Sequence, residues 1–249
     1  MGSCNDSSIV MAREKTFRFK RFEVLNDRTA MKVGTDGVLL GAWCDVTGAR
    51  HVLDVGTGCG VIALMVAQRN NDARIDAVEI DMDSAQEAFH NFSRSPWAGR
   101  LHVEQCDFNE YAQRVSIGRY DLIVSNPPFF TNGILPPDAS RMSARHTRNL
   151  TYEQLLKNAG MLLTNGGKIA LITPFDSIKE IIEESVFNNL NISSKINVIS
   201  VNGISPKRVL WELVKYPCSM HESELVIEIS PGVFSEEYVA LCKDFYLKM

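Results

Sequence analysis

Long apolar runs are missing from this 249-residue sequence: none approaches the roughly twenty residues needed to cross a bilayer. The N-terminus also lacks the basic-then-apolar layout of a secretory signal. We therefore expect no membrane partner and a cytoplasmic location. The chain starts with small and polar residues, and we predict a disordered leader over residues 1–15.

Cysteines are few, and their spacing excludes the common cysteine-based sites. The six cysteines are scattered, without a C-x-x-C pair and without a histidine at zinc-ligand spacing. This pattern predicts reduced, mostly buried thiols rather than a disulfide framework. It also predicts that the protein holds no metal.

An excess of basic residues is absent too, because 26 Lys and Arg are outnumbered by 30 Asp and Glu, giving a net charge of -4. The chain as a whole is therefore not a basic nucleic-acid binder. Two local clusters, Arg13–Arg21 and Arg141–Arg148, could still meet a phosphate backbone. A solvated basic face is the alternative for each cluster.

No repeat or Pro/Gly/Ser-rich linker divides the chain, so we predict one domain over 16–249, with an N-terminal extension over 16–50, and a monomer. Short β-branched runs alternate with amphipathic stretches, which favours βαβ units and a parallel sheet covered by helices on both faces. The predicted strands are 51–55, 74–79, 101–105, 120–124 and 168–173. The predicted helices are 61–69, 84–94, 151–163 and 177–188.

The two ends of the chain depart from this alternation. Beyond residue 190, three strands are predicted over 195–201, 209–215 and 224–229, and the last two have no long helix between them. We expect them to form an antiparallel hairpin that finishes the sheet. Near the N-terminus, 17–25 predicts a short hairpin or an extended arm, and 35–43 a helix capped by Thr35 or Asp36. Thr151 and Gln154 predict a capping box.

A glycine run, Asp54-Val55-Gly56-Thr57-Gly58-Cys59-Gly60, follows an apolar strand and opens a helix. Its G-x-G-x-G spacing differs from the G-x-G-x-x-G of dinucleotide sites. A pyrophosphate needs a more open cradle aimed by a helix N-terminus. The tighter turn, formed by Gly56, Gly58 and Gly60, suits a ligand without phosphates, such as S-adenosylmethionine (SAM). The cationic end of that ligand would face Asp54, directly or through water.

Acidic residues end the next two strands. Glu79 is placed to accept hydrogen bonds from both hydroxyls of a ribose, with Asp81 capping the following helix. The alternative is that Glu79 serves only as a helix cap. Asp107 is placed to accept from an adenine amino group, and Phe108 to cover the adenine ring.

Asn126-Pro127-Pro128-Phe129 follows the buried strand 120–124, at the sheet edge where open α/β sheets bind ligands. An exocyclic amino group is a poor nucleophile because its lone pair is delocalised. The Asn126 side-chain oxygen and the Pro127 carbonyl could each accept one N–H and free that lone pair. Phe129 would stack on the planar substrate. The alternative is a proline-rich turn with a core phenylalanine.

With these motifs, the sequence resembles the bacterial tRNA1(Val) adenine-N6-methyltransferases, class I SAM-dependent enzymes with a Rossmann-like α/β fold. The resemblance rests on residues 17–20, 31–43, 54–60, 78–81, 126–130, 205–208 and 238–249. It implies a seven-stranded, mostly parallel sheet whose last pair is antiparallel, and methylation of the adenine 3′ of the anticodon in a tRNA. It also implies that Thr35 and Asp36 border the cofactor. The cations expected to contact RNA are Lys20, Arg21, Arg141, Arg145, Lys207 and Arg208.

Four alternatives remain open. Phe129 stands where many adenine-N6 enzymes carry Tyr, and guanine-N2 enzymes of ribosomal RNA often use Phe there. A protein-glutamine N5-methyltransferase uses the same Asn-Pro-Pro geometry, but its members add an N-terminal helical bundle. A non-catalytic SAM- and RNA-binding protein would not need Asn126, and a dehydrogenase is disfavoured by the glycine spacing. We also expect residues 131–150 to form a mobile lid.

Overall fold

A computed structural model of the chain describes residues 16–29, 32–128 and 150–249. The predictions on the leader 1–15, on Phe129, on Arg141 and Arg145, and on the lid up to residue 149 lie outside the described residues. Within the described ranges, every helix is too short or too polar to cross a membrane.

The elements alternate as the sequence patterns predict over most of the chain. The strands are β1 Thr16–Arg18, β2 Glu23–Leu25, β3 His51–Val55, β4 Arg74–Glu79, β5 Leu101–Gln105, β6 Tyr120–Ser125, β7 Leu163–Pro174, β8 Asn191–Val201, β9 Arg208–Val214, β10 His221–Ser230 and β11 Val233–Phe234. The helices are α1 Thr35–Trp43, α2 Val61–Arg69, α3 Met82–Arg94, α4 Phe108–Arg114, α5 Tyr152–Leu162, α6 Ile178–Phe187 and α7 Glu236–Cys242. The helix α4, the helix α7 and the strand β11 were not predicted from the sequence.

One sheet holds nine of these strands, in the order β11-β10-β8-β9-β7-β6-β3-β4-β5. From β3, the chain adds β4 and β5 on one side and β6 and β7 on the other, all parallel. The order therefore reverses between β3 and β6. In open α/β sheets, the crevice outside the carboxyl ends of the strands at such a point binds ligands.

Helices cover both faces of this sheet, as predicted. One core cluster joins the sheet to α1, α2, α3 and α7, and the other joins it to α4, α5 and α6. The central parallel strands β3 and β6 are therefore buried on both faces, which explains their continuous apolar runs in the sequence. Five cysteines lie in the described ranges and none forms a disulfide there; Cys44, Cys59 and Cys242 are buried, Cys106 is half-buried and Cys218 is exposed.

The predicted hairpin between the last two strands is wrong. β9 lies between β7 and β8 and is antiparallel to both, so the antiparallel hairpin is formed by β8 and β9. β10 instead pairs with the outer edge of β8 and runs parallel to it. Both edges of β9 are already hydrogen-bonded, so β10 pairs with the neighbouring strand β8 at its outer edge. The sheet accordingly has nine strands in the described residues, not seven.

The predicted N-terminal hairpin and the predicted capping box are confirmed, whereas the predicted cap of α1 is wrong. β1 and β2 form the predicted antiparallel hairpin, and Thr151 and Gln154 form the predicted capping box. The N-cap of α1 is Gly34, without a side-chain hydrogen bond, and neither Thr35 nor Asp36 caps it. Thr35 is already the first helical residue, and the carboxylate of Asp36 accepts instead from Arg208.

Candidate active site

The glycine loop, residues 56–60, is hydrogen-bonded to the carboxyl end of β4. The backbone N–H groups of Gly56 and Thr57 both donate to the carbonyl of Val78, at 2.9 Å and 3.1 Å. Gly56 has a φ of 70°, and a Cβ built there would meet nothing within 4 Å. This backbone is therefore bare on the side where a side chain would project, which fits a ligand that lies directly against it.

Asp54 lies fully buried beneath the loop. Its Oδ2 accepts hydrogen bonds from the Thr57 hydroxyl at 2.7 Å and from the Ala63 N–H at 3.1 Å. Burial raises the pKa of this carboxyl to about 7. Because Asp54 has no exposed surface, it holds the loop and the start of α2 together, and direct contact with a ligand would require the loop to open.

Gly58 and Gly60 serve the loop in different ways. The Gly58 N–H donates to Glu79 at 2.8 Å. Gly60 is the N-cap of α2 with a φ of 87°, and a Cβ there would collide with the ring of Phe92. Gly60 is thus required by close packing against α3, whereas Gly56 is the glycine beside open space.

Glu79, at the end of β4, is a second carboxylate in contact with the loop. Its Oε2 accepts from Gly58 N–H and its Oε1 accepts from Asp81 N–H at 2.9 Å. Burial raises its pKa. Each carboxylate oxygen can accept a further hydrogen bond, so these contacts leave Glu79 able to bind two hydroxyls. Asp81 is the N-cap of α3 and accepts from Ser84 N–H at 2.8 Å, as predicted.

Asp107 and Phe108 lie where the third loop begins, after β5. Asp107 is the N-cap of α4, and its Oδ1 accepts from the N–H groups of Asn109 and Glu110 at 2.7 Å and 3.4 Å. The Phe108 side chain is 6% exposed and packs in the core cluster with Val55. The structure therefore shows a helix cap and a core ring at these positions, and their predicted contacts with adenine stay predictions.

Asn126 and Pro127 follow β6 directly, next to the glycine loop. The hydroxyl of Ser125 donates to the carbonyl of Val55 at 2.8 Å, which joins the ends of β6 and β3. Pro127 is buried and Asn126 is half-buried. The two motifs that the sequence places about seventy residues apart are thus brought side by side at the point where the strand order reverses.

Glu87 on α3 is a buried carboxylate that the sequence did not single out. It is 2% exposed and accepts from the backbone N–H groups of Asp27, Arg28 and Thr29 at 2.7 Å, 2.9 Å and 3.0 Å, and from the Thr29 hydroxyl. Burial alone would raise its pKa, but these hydrogen bonds outweigh burial and lower it. Glu87 thereby fixes the segment after β2 against the core.

Asn91, one helical turn later, joins that segment to the glycine loop. Its amide accepts from Leu25 N–H at 2.7 Å and donates to the carbonyls of Leu25 and Cys59 at 2.9 Å and 2.8 Å. Ser84, Glu87 and Asn91 recur at helical spacing on the buried face of α3. Polar residues repeating on an apolar face were the signal that could have identified this anchor.

The predicted basic residues of the N-terminal hairpin region have partners within the chain. The ammonium of Lys20 donates to the carbonyl of Lys243, and its backbone N–H to the carbonyl of Phe245 at 2.8 Å. The guanidinium of Arg21 lies 5.6 Å from the centre of the Trp97 ring. Both residues remain exposed, but their contacts hold the hairpin region to the C-terminal segment and to Trp97.

Residues predicted to contact RNA and residues predicted to border the cofactor lie together at the start of α1. Arg208 donates from Nε to the carboxylate of Asp36 at 2.8 Å, so an expected RNA contact and an expected cofactor neighbour form an ion pair. A Cβ at Gly37 would lie 3.4 Å from Val61 at the start of α2, so this turn of α1 is next to the glycine loop. Thr35 and Lys207 are both exposed.

The fold is that of the class I methyltransferases. A solved structure of a predicted O-methyltransferase from Agrobacterium tumefaciens superposes with a TM-score of 0.67, covering 84% of this chain and 96% of that one. The two sequences are 19% identical, so this likeness concerns the fold alone.

The model of the methyltransferase small domain matches residues 32–201. A protein of Trichodesmium erythraeum is 45% identical over 93% of this chain and 98% of its own length. One of Bacteroides fragilis is 44% identical over 94% and 98%. Both are named tRNA1(Val) (adenine(37)-N6)-methyltransferase. The chain belongs to the methyltransferase small domain family, and the resemblance drawn from its motifs is confirmed.

Proposed function

We propose that this protein transfers a methyl group from SAM to the N6 amino group of the adenine 3′ of the anticodon in a tRNA1(Val)-like tRNA. The observation that supports the proposal is that the Asn126 turn and the glycine loop lie side by side. The Ser125 hydroxyl, just before Asn126, is hydrogen-bonded to the end of β3, where the glycine loop begins. The printed names of relatives that match nearly the whole chain support the same reaction and substrate.

The residues at the glycine loop fit SAM. The bare backbone at Gly56 gives the ligand room, and the two oxygens of Glu79 can accept from both ribose hydroxyls while holding the loop. Asp54 would interact with the cationic end of SAM indirectly, either by holding the glycine loop in place or through a water molecule. Thr35, Asp36, Asp107 and Phe108 are proposed to border the remaining surface. When bound, SAM supplies an electrophilic methyl group on a sulfonium.

For methyl transfer, the protein must reduce the delocalisation of the lone pair on the target nitrogen. The side-chain oxygen of Asn126 and the carbonyl of Pro127 would each accept one N–H of the amino group and draw the nitrogen toward tetrahedral geometry. Two consecutive prolines stiffen this turn, so the acceptors are positioned before the substrate arrives. Phe129 is proposed to stack on the base. The transfer would release neutral S-adenosylhomocysteine and one N–H proton to water, and because this leaving group is activated, no strong general base is required.

A base beside an anticodon must be turned outward before it can enter such a site. The cations proposed to hold the phosphates are Arg141, Arg145, Lys207 and Arg208, whereas Lys20 and Arg21, also predicted from the sequence, have partners within the chain. The proposal takes the protein to be a cytoplasmic monomer that acts as one domain over 16–249.

The test is transfer of labelled methyl from SAM to unmodified tRNA, followed by nucleoside analysis of the digest. We expect N6-methyladenosine, at the position 3′ of the anticodon when the tRNA is cut into mapped fragments. The matched control is the Asn126→Ala variant, which should bind SAM and label the tRNA about 10²–10³-fold more slowly.

Three results would contradict the proposal in different ways. N2-methylguanosine in ribosomal RNA would move the substrate to guanine. Label in a protein glutamine would move it to an amide. SAM binding without transfer to any of these would indicate a non-catalytic binding protein.

A further inference from the structure

A cleft of about 640 Å³ lies beside the candidate active site, on the side away from β4 and β5. It is lined by the first turn of α1, the carboxyl ends of β8 and β10, the start of β9 and the C-terminal segment. None of the glycine loop, Glu79 or Asn126 lines it. The cleft therefore adjoins the proposed cofactor position at Thr35 and Asp36 but does not include the glycine loop or the Asn126 turn, and its volume suits a ligand of nucleotide size.

The sheet places this cleft on the same edge as the Asn126 turn. Ser125 of β6 pairs with Leu171 of β7, and Pro174 at the end of β7 pairs with Arg208 at the start of β9. β8 and β10 run parallel to β7 in the sheet, so their carboxyl ends reach this edge too. Two strand spacings, roughly 10 Å across the sheet, separate the Asn126 turn from the cleft.

The charges of the cleft are unevenly compensated. Asp36 is paired with Arg208, whereas Glu228 keeps its negative charge, with Oε2 accepting from the Gly232 N–H at 3.0 Å. Lys207 and Lys248 also line the cleft, are exposed, and form no ion pair with any described residue. Two ammonium groups are thus available for an anion, and their solvated positions suit successive or shared phosphates.

Aromatic rings stand next to these cations. Phe234 is 41% exposed, and its ring centre lies 5.2 Å from that of the buried Tyr238. Tyr246 is half-buried, held by the bridge to Phe19 and by ring contacts with Phe17 and Phe19. This anchoring of the C-terminal segment fixes the base of Lys248 at the cleft. An exposed ring beside free cations is the combination that binds single-stranded nucleic acid.

We propose that this cleft binds the RNA strand next to the target adenosine, with Lys207 and Lys248 on phosphate oxygens and a neighbouring base stacked on Phe234. The inference rests on the proposed function, since it takes RNA as the substrate presented to Asn126. It assigns RNA binding to the C-terminal segment and to β11, which the motifs alone did not identify.

The test measures binding of a fluorescein-labelled, unmodified anticodon stem-loop by anisotropy at several salt concentrations. The double variant Lys207→Ala/Lys248→Ala is compared with Arg50→Ala/Arg74→Ala, which removes the same charge from exposed residues at the opposite edge of the sheet. For two lost single-strand phosphate contacts, the slope of log K against log[salt] should shrink by about 1.4, a loss of roughly 25-fold at 0.1 M salt. The control should keep the wild-type slope.

A second set of variants tests stacking. Phe234→Ala should weaken RNA binding by about fivefold or more, as loss of one base–ring contact does. Phe234→Tyr should bind like wild type, whereas Phe234→Leu, which restores only apolar volume, should not. In all variants, SAM affinity should stay unchanged, and the loss should appear in KM for RNA rather than in kcat. Phe234→Leu, which keeps apolar contact with Tyr238, controls for any fall in the melting temperature of Phe234→Ala.

The outcomes separate this inference from the proposed function. If wild type methylates the RNA and the cleft and control variants bind it equally, the cleft assignment is wrong and the proposed reaction stands. If the cleft variants alone lose RNA binding while no methyl group is transferred, the cleft assignment stands and the proposed reaction fails. A wild-type protein that binds no RNA overturns both.

Discussion

The cofactor side and the cleft side of this sheet edge treat their polar groups in opposite ways. On the cofactor side, Asp54, Glu79 and Glu87 are each hydrogen-bonded to backbone N–H groups of the chain itself. On the cleft side, Lys207 and Lys248 are exposed and have no ion pair among the described residues. The cofactor side is held by its own hydrogen bonds before a ligand binds, whereas the cleft side, apart from the Asp36–Arg208 pair and the contact of Glu228 with Gly232, keeps two exposed cations for a partner.

This difference matches the ligands that we propose for the two sides. A small cofactor must be held in one geometry, and preorganised groups do this without ordering the site at each turnover. An RNA strand is long and flexible, so exposed cations can follow its phosphates at little structural cost. Variants on the cofactor side should therefore change catalysis or stability, whereas variants on the cleft side should change RNA binding alone.

The largest expected effect is that of Asn126→Ala. By analogy with removal of one hydrogen-bonding group that acts on a transition state, kcat should fall by about 10²–10³-fold. SAM affinity should stay at the wild-type level, because Asn126 follows β6 rather than the glycine loop. Single-turnover rates and calorimetric SAM titration check the two halves, with Asn188→Ala at the end of α6 as control. Equal loss of rate and affinity would make Asn126 a structural residue.

The next effect is that of Glu79→Ala on cofactor affinity. Loss of two hydrogen bonds to a charged group, each worth about 1.5–3 kcal/mol, should weaken SAM binding by roughly 100-fold or more. Glu79→Gln keeps one acceptor and should lose less. Isothermal titration measures both, against Glu224→Ala on the exposed part of β10. Unchanged affinity in Glu79→Ala would defeat the ribose assignment and leave Glu79 as a loop brace.

Glu87→Ala should lower the stability of the protein. Glu87 is not proposed to contact SAM, so the effect on SAM binding should be indirect. The substitution leaves three backbone N–H groups and the Thr29 hydroxyl without their acceptor, so the free energy of unfolding should fall by roughly 2–4 kcal/mol. Urea unfolding measures this. The control Glu183→Ala removes an exposed ion pair with Lys179 and should change stability by less than about 1 kcal/mol. A loss no larger than the control's would show that the segment 25–29 holds without Glu87.

Asp54 should give the protein a pH dependence of stability with a defined sign. Its pKa is about 7 in the folded state, above the ordinary value of about 3.9. Between these values the folded state keeps a proton that the unfolded state has released. The free energy of unfolding should therefore fall as the pH rises from about 4 to 7, by at most about 1.4 kcal/mol per pH unit.

Asp54→Asn should flatten this dependence. Both hydrogen bonds go to Oδ2, so an amide oxygen at that position can keep the contacts with Thr57 and Ala63. The comparison is urea unfolding of wild type and variant at about pH 5 and about pH 7.5. Glu79, whose pKa is also raised by burial, contributes in the same direction in both proteins. A variant with the wild-type slope would assign the dependence to Glu79 instead.

The two sides also differ in how far the sequence predicted them. Where helices separate the strands, the bounds of β3, α2, β4 and β5 match the prediction, because each apolar run must be buried against its neighbours. In the C-terminal part, three strands follow one another without helices between the last two, and local pattern does not decide which edges pair. The position of β9 depends on long-range contacts with β7 and β8.

The site could be predicted from the sequence where a motif directly follows a predicted strand, because the strand fixes the position of the motif in the sheet. The turn at Asn126 and the glycines follow strands, so their meeting at one edge could be expected. The anchor formed by Glu87 and Asn91, the ion pair of Asp36 with Arg208, and the role of Lys248 depend on segments far apart in the chain. Such contacts leave little trace in one sequence beyond polar residues at buried positions.

The smallest effect is expected for Lys20→Ala and Arg21→Ala, which were predicted as RNA contacts. The ammonium of Lys20 is bound to the Lys243 carbonyl, and Arg21 lies over Trp97, a contact worth about 0.5–1 kcal/mol when exposed. We therefore expect each variant to lower stability slightly and to change affinity for the stem-loop by less than about fivefold, the share of one phosphate contact at 0.1 M salt. Anisotropy beside Lys207→Ala/Lys248→Ala measures the contrast. A loss as large as that of the cleft variant would extend the RNA path over the N-terminal hairpin, and the division into a rigid cofactor side and an open RNA side would then no longer hold at β1 and β2.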